Sequence, residues 1–320
     1  MRTCHFVYAG SPDNSEERSP YTITRNLYRF LRTKFDHINY YDWCHTGSIA
    51  EVKEDDIVLG HPNYPANSAT RQLFNSKAKY KAIIHPLHTN YVDDNMPFND
   101  LAMKADDIFS IQGPYWYNTI DQTPFAHWKP KITRLDIPVC SQSWKHAKNS
   151  FNPIGKRGIV YVGSSIPNKN LGLLVQIASI MKDVNFEWYG GSSDHELYRL
   201  KNVKVIGWVN IRGYIDKICE NNDFIISTSI SDANPTTLSE VGLASGLIPI
   251  CTKESGYVEN DNFTNIPLDA NGAVAILRKW LNKPSDELAE ISAKNRRLCE
   301  EQFTWEVFCD KIWAKISRFM

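Results

Sequence analysis

The sequence predicts an α/β protein built as two successive Rossmann-like units, each a parallel sheet covered by helices, with a cleft between them. Short β-branched runs alternate with helical patterns along the whole chain, the signature of a parallel sheet. A break rich in turn formers and charge, Asn149-Ser-Phe-Asn-Pro-Ile-Gly-Lys-Arg-Gly158, is followed by a restart of the same rhythm. The 320 residues, 42% of them hydrophobic, suffice for the cores of about two domains.

In the first half, His5-Phe-Val-Tyr8 reads as a strand running into a turn at Gly10. A helix follows from about Pro20: Ser19 can cap it, Pro20 suits its first turn, and Ile23, Leu27, Phe30 and Leu31 share one apolar face. Further strands are expected at Ile57–His61, Lys81–His85 and Asp107–Ile111. After the break, strands are expected at Ile159–Val162, Phe186–Tyr189, Val203–Ile206, Phe224–Ser227 and Leu247–Cys251. Between the first two of these, Leu171, Leu174, Val175, Ala178 and Met181 mark a helix face. In open α/β sheets ligands sit beyond the carboxyl ends of the strands, so the loops there are where function is expected. The reading gives an N-terminal domain over residues 1–150, a second over 151–302 and a terminal helix over 303–320.

Composition narrows the function classes. Lys+Arg and Asp+Glu are both 36, so the formal net charge is zero and no phosphate-tracking nucleic-acid surface is expected. Apolar stretches such as Leu247–Cys251 fall far short of a membrane span, and the start of the chain has no signal-peptide pattern. The seven cysteines are scattered without a CxxC pair, which points to reduced core thiols in a cytoplasmic protein rather than to zinc. The stripe Trp305, Phe308, Cys309, Ile312, Trp313, Ile316 and Phe319 fits a helix docked on its own protein, the N-terminal domain being the expected seat. With Lys311, Lys315 and Arg318 it also fits a helix lying in a membrane interface.

The most informative stretch is Ser229-Ile-Ser-Asp-Ala-Asn-Pro-Thr-Thr-Leu-Ser-Glu240. Asn234 suits an N-cap and Pro235 the first helical position, while Thr236 and Thr237 supply free amide donors for an anion. Glu240, a turn or two on, suits vicinal hydroxyls, and Asp232 lies in the loop before the helix. Together they would hold a diphosphate between two hydroxyl-bearing groups, the shape of a nucleotide-sugar. A capped helix with a nearby Glu is also commonplace in purely structural settings.

Asp232 and Glu240 stand where the E-x7-E motif stands in the GT4-type retaining glycosyltransferases, and the chain resembles that family over roughly residues 1–280. Val160-Tyr-Val-Gly163 with Lys169 is similar to its strand–GR–x4–K segment, Tyr189-Gly190-Gly191 to its second Gly turn, and Val205-Ile-Gly207-Trp-Val209 to the strand after that. Asn222–Ser229, Gly246–Ile250 and Ser255-Gly256 match the segments around the motif, and Lys131–Ile137 the strand closing the N-terminal domain. The sequence departs from the pattern at Ser164, where the family has Arg, and at Asp232, one methylene shorter than Glu. One residue too many separates Glu240 from Gly246, which calls for a bulged helix or a shifted register.

The resemblance implies the GT-B fold and retaining, metal-independent transfer from a nucleotide diphosphate-sugar to a saccharide or lipid-linked acceptor, with no cofactor. Lys169 and the amides near Thr236 and Thr237 would cradle the diphosphate, with Gly163 and Ser164 close by. Glu240 would bind the ribose and Asp232 the transferred sugar. Gly10 and the loop to Arg18 would approach donor or acceptor, Arg18 standing in for the missing cation. A sugar-contacting His falls at His85 or His88, with His88 preferred; His61, in His61-Pro-Asn-Tyr64, reads as a loop residue. Tyr115-Trp116-Tyr117 with His127-Trp128 is an acceptor platform or a packed core. The departures at Ser164 and Asp232 keep open a second reading, a catalytically weak GT-B-like protein that binds nucleotide or glycan.

Overall fold

The computed structural model describes residues 2–16, 19–63, 65–90, 92–191 and 195–320; Arg18 and Tyr64 lie outside them, as does the Ser19 side chain. The chain divides into two compact units. The first comprises Met1–Gln112, Trp116–Asp136 and Trp305–Met320; the second comprises Gly113–Tyr115 and Ile137–Thr304. The main run of the second unit thus starts at Ile137, ahead of the Asn149–Gly158 break, and ends at Thr304.

The first unit is built on a six-stranded parallel sheet of order β2-β1-β3-β4-β5-β6: β1 (Thr3–Tyr8), β2 (His37–Asp42), β3 (Ile57–Gly60), β4 (Tyr80–Pro86), β5 (Asp107–Ile111) and β6 (Ile132–Leu135). β3 and β5 are buried along their whole length, as strands covered on both faces must be. Helix Ser19–Leu31 buries Ile23, Leu27 and Leu31 of the expected face, while Phe30 stays half-buried. Trp116 and Trp128 are 3% and 4% exposed, so they are core residues, and Trp128 packs tilted on Phe125. Large aromatics contribute the most buried area, which is why packing claims them.

Helix Trp305–Ile316 belongs to this unit. It buries Phe308, Cys309, Ile312 and Ile316, and sets Trp313 edge-on to Phe30 and Phe35. Lys315 pairs with Asp107 at 3.1 Å. The apolar stripe therefore docks on its own protein. Among the described residues no helix is long and apolar enough to cross a membrane.

The second unit holds the other parallel sheet, of order β12-β11-β10-β7-β8-β9: β7 (Ile159–Val162), β8 (Phe186–Tyr189), β9 (Val203–Gly207), β10 (Phe224–Ser227), β11 (Ile248–Thr252) and β12 (Thr264–Ile266). Two apolar clusters cover its faces, one gathering helices Leu171–Ile180 and Ala270–Leu281, the other helix Ile211–Asn221 and the segment after β10.

Residues 139–158 are bound to this sheet by buried charge. Lys148 Nζ reaches Asp223 Oδ1 at 2.8 Å, both side chains at 2% exposure or less, and donates to the Cys219 carbonyl. Asp223 also accepts from the amide and the side chain of Asn152. Arg157 donates to the carbonyls of Asn152, Leu281 and Lys283. Breaking a buried pair by removing one partner costs about 3–5 kcal/mol, because the other charge is stranded. Lys148→Met should therefore lower the melting temperature of the second unit by roughly 6–15 °C in calorimetry. A change below a degree would show that Asn152 alone satisfies Asp223.

Candidate functional site

A parallel sheet offers a crevice where its strand order reverses, because the two loops there leave in opposite directions. In the second unit that point lies between β7, which leads on to β8, and β10, which starts the other half. The loops after these two strands carry Lys169 and Asp232.

Asn168 ties the loops together: its carbonyl accepts from Ile230 N at 2.9 Å, and its side-chain amide donates to Ser231 O at 2.9 Å. Thr228 Oγ1 donates to the Lys169 carbonyl at 3.0 Å. Within this zipper the Lys169 ammonium pairs with the Asp232 carboxylate, the side chains 22% and 14% exposed. Asn170, at φ 50°, turns the chain through the left-handed region and starts helix Leu171–Ile180. Asn is the residue besides Gly that tolerates this conformation best.

The Asp232 loop is fixed from beneath. Thr252 Oγ1 donates to Ser229 O at 2.5 Å, Ser227 and Ser255 share a hydroxyl bond at 2.8 Å, and Asp232 N donates to Glu254 O at 3.0 Å. Gly113 N donates to Ala233 O at 2.7 Å, and Tyr115 N to Gly256 O at 2.9 Å. A side chain at Gly113 would place its Cβ 2.0 Å from the Gly256 carbonyl, so backbone approach demands glycine here. Beside this seam Tyr257 donates to Asn234 Oδ1 at 3.0 Å. Among the described residues no cap bond from Asn234 to the helix is made: its Oδ1 accepts from the phenol, and its buried Nδ2 has no partner.

After Pro235 the chain turns helical at Thr236 and Thr237, whose first-turn amides have no carbonyl within the helix to bond. It then widens into a π-helix over Leu238–Ala244, closed by Ser245 N donating to Glu240 O at 3.1 Å, five residues back. This absorbs the extra residue between Glu240 and Gly246. Glu240 sits half-buried inside the wide turn.

The strand ends on the other side of β7 are levelled by glycine. Gly163 N donates to Tyr189 O, and Gly190 N to Gly207 O at 2.7 Å. A Cβ on Gly190, which has φ +99°, would lie 2.7 Å from the Gly163 carbonyl. Ser164, half-buried, has its carbonyl held by the Tyr161 hydroxyl at 3.0 Å.

Of the sequence-derived site residues, Gly163, Ser164, Lys169, Asp232, Asn234, Pro235, Thr236, Thr237 and Glu240 all belong to the second unit, on loops and a helix start beyond its strands; Gly10 and His88 belong to the first. There Gly10, at φ +72°, donates to Asp42 Oδ2 at 2.6 Å, and a Cβ on it would meet the Tyr21 ring at 2.5 Å. His88 lines a cavity of about 460 Å³ beyond the ends of β3 and β4. Sequence reasoning passed over a second feature of that cavity: His61 and His85 meet there, with 3.5 Å between His61 Nε2 and His85 Nδ1. Both end strands that are neighbours in the sheet, a signal present in the sequence but legible only once β3 and β4 are known to pair. Burial among Tyr8, Trp43 and Phe98 holds both rings neutral, lowering His61 to about 4 and, with the help of His61, His85 to about 3. Among the described residues no group of three or more His, Cys, Asp or Glu side chains could hold a metal ion.

No family model and no curated protein matches the chain. Solved structures do. A glycosyltransferase from Rickettsia africae superposes with a TM-score of 0.71 at 14% identity, covering 99% of this chain and 98% of that one. Sucrose-phosphate synthase from Thermosynechococcus elongatus gives 0.71 at 10% identity over 99% and 98%. The catalytic domain of starch synthase IV from Arabidopsis thaliana, bound to ADP and acarbose, gives 0.68 at 9% identity over 100% and 99%. At these identities the likeness establishes the fold, which is the GT-B fold with two Rossmann-like domains.

The neutral rings set a pH dependence. Folded values below the unfolded 6.5 mean that the unfolded chain binds more protons on acidification, so stability falls as pH drops through 6.5 towards 4. His85→Phe should remove roughly 2 kcal/mol of the stability difference between pH 7 and pH 5, measured by urea unfolding. An unchanged difference would mean that His85 titrates in the fold as it does in the unfolded chain.

Proposed function

We propose that the protein is a glycosyltransferase that moves a sugar from a nucleoside diphosphate-sugar to a saccharide or lipid-linked hydroxyl, with retention at the anomeric carbon. The observation that carries this reading is the Lys169–Asp232 pair at the switch point of the second unit, beside a helix start and Glu240, on a GT-B fold.

On this reading Lys169 and the amides of Thr236 and Thr237 take the diphosphate, and Glu240 accepts from the ribose hydroxyls. Asp232 faces the sugar. In the reaction the bond from the anomeric carbon to the diphosphate oxygen breaks and the acceptor hydroxyl oxygen bonds to that carbon. The hydroxyl proton leaves with the diphosphate. Charge building on the leaving group meets the fixed ammonium and amides, so these groups supply the stabilisation that a metal supplies elsewhere, and the reading includes no cofactor. Ser164 brings no cation to the cradle, and the further cation considered from sequence, Arg18, lies outside the described residues. Seven unbridged cysteines, five of them buried, support a cytoplasmic setting.

The pairing sharpens the test. The Asp232 carboxylate competes with a diphosphate for Lys169, so Asp232→Asn should leave nucleotide binding equal or tighter while turnover falls. Lys169→Ala and Glu240→Ala should each weaken nucleotide binding by ~1.5–3 kcal/mol. The assay is a thermal-shift series in EDTA with UDP, GDP, TDP, ADP and their sugars, followed by turnover with the one that binds. A ligand at about 100 times its Kd adds about 2.7 kcal/mol, several degrees for a domain of this size. Unaltered affinity in both alanine variants would sink the site. Binding without turnover against any acceptor would favour a nucleotide- or glycan-binding protein.

A further inference from the structure

The amino ends of the strands in the second unit carry polar groups that the donor reading leaves unused. Asn185 and Asn202 stand one residue before β8 and β9, and Asn221 and Asn222 stand at the end of helix Ile211–Asn221. Between these segments lies a cavity of about 500 Å³. Lys169 and Asp232 sit beyond the opposite, carboxyl ends of the same sheet, whose strand β8 is four residues long, roughly 13 Å.

A buried carboxylate lines this cavity. Glu187, 8% exposed, accepts from Asn221 Nδ2 at 3.0 Å, Asn222 Nδ2 at 2.9 Å and the Tyr189 hydroxyl at 3.1 Å. All three donors are neutral, and Glu187 forms no ion pair among the described residues. Two of the bonds fall on Oε2 and one on Oε1, so a carboxylate with about four acceptor sites keeps one on Oε1. Asn202, also at the cavity, spends Nδ2 on the carbonyls of Ala178, Met181 and Val184, which leaves its Oδ1 as a further acceptor.

The rim has the opposite charge. Lys156, Lys201 and Lys204 line the same cavity, are exposed, and form no ion pair among the described residues. Lys204 is the register partner of Glu187 across β8 and β9, yet the carboxylate turns to the two asparagines and the ammonium stays in water. Three ammonium groups gathered on one rim, with Glu220 as the exposed acid among them, repel one another and favour an arriving dianion. A phosphate is the anion that lysines take as point charges. Hydroxyls are the donors that a carboxylate and an amide oxygen accept from. Acceptors within and cations at the rim, in a space of this volume, match a polyol body with a phosphate end.

We infer that this cavity is a binding site for a phosphorylated polyol. The phosphate lies among Lys156, Lys201 and Lys204, and hydroxyls donate to Glu187 Oε1 and Asn202 Oδ1. The site is separate from the proposed donor cradle, so its ligand adds to a nucleotide and does not compete with it.

Titration calorimetry on the full chain, at pH 7 in EDTA, tests this with glucose 6-phosphate, ribose 5-phosphate and glycerol 3-phosphate. At least one ester should bind tenfold tighter than glucose or inorganic phosphate, since each of those offers only one end. The double variant Lys201→Gln/Lys204→Gln should weaken that ester tenfold or more at unchanged Tm, both side chains being exposed. Lys169→Ala should bind it as the unaltered chain does. Lipid headgroups carry the same chemistry, and flotation with phosphatidylinositol vesicles separates that source from a soluble one. Preference for them over phosphatidylserine vesicles of equal charge, lost in the double variant, would support a headgroup in the same seat. The inference falls if neither an ester nor such a vesicle is preferred, or if the double variant binds the ester unchanged. It falls too if Lys169→Ala loses the ester, which would put the phosphate at the switch point. A UDP-induced rise in Tm that survives in the double variant leaves the donor site standing whichever way the cavity is decided.

Discussion

The donor site proposed for the second unit depends on the ion pair between Lys169 and Asp232. The two residues are brought together because β7 and β10 lie side by side while the strands between them in sequence go to the far side of β7. Asn168 then binds the two loops through backbone and side chain, so the pair is held in one place rather than left to two mobile loops. At the exposures seen, 22% and 14%, the two charges are half-withdrawn from water. An arriving anion has to replace a carboxylate that is already there. The pair therefore stores a choice: the ammonium is committed to the protein until something more negative is offered.

In the first unit the corresponding constraint is one of protons rather than charge. His61 Nδ1 lies 2.8 Å from the Pro62 carbonyl and His85 Nε2 3.3 Å from Asn95 Oδ1, so each ring is held from outside on the nitrogen that does not face the other. Both features lie at the carboxyl ends of parallel strands, where loops are free to differ while the strands beneath them stay regular.

Much of this was legible in the sequence. Strands buried on both faces, such as Phe224–Ser227 and Ile159–Val162, announce themselves as short apolar runs, and so do most of their neighbours. The two strands that escaped notice, His37–Asp42 and Thr264–Ile266, lie at sheet edges, where one flank needs no partner and the residues are mixed. The individual residues of the Asp232–Glu240 stretch were legible too, because capping, proline and glycine carry local rules. What no local rule carries is adjacency. That Lys169 meets Asp232, that His61 meets His85, and that Asn234 serves Tyr257 instead of its own helix all follow from how distant segments are laid beside one another. The surplus residue before Gly246 could be counted in advance, but its resolution as a π-helix needed the packing around Leu238, Val241 and Leu243.

The second unit is not one stretch of chain. Gly113–Tyr115 leaves the first unit for three residues, lends two amides to the carbonyls of Ala233 and Gly256, and returns. The loop bearing Asp232 is thus completed by residues more than a hundred positions upstream. A gene segment encoding residues 137–304 would carry every residue named at the switch point and still lack part of the frame that shapes it. Recombination between relatives of this fold that treats the halves as consecutive cassettes would exchange the residues of the switch point without the short segment that braces their loop. Inheritance of this site is tied to both halves at once.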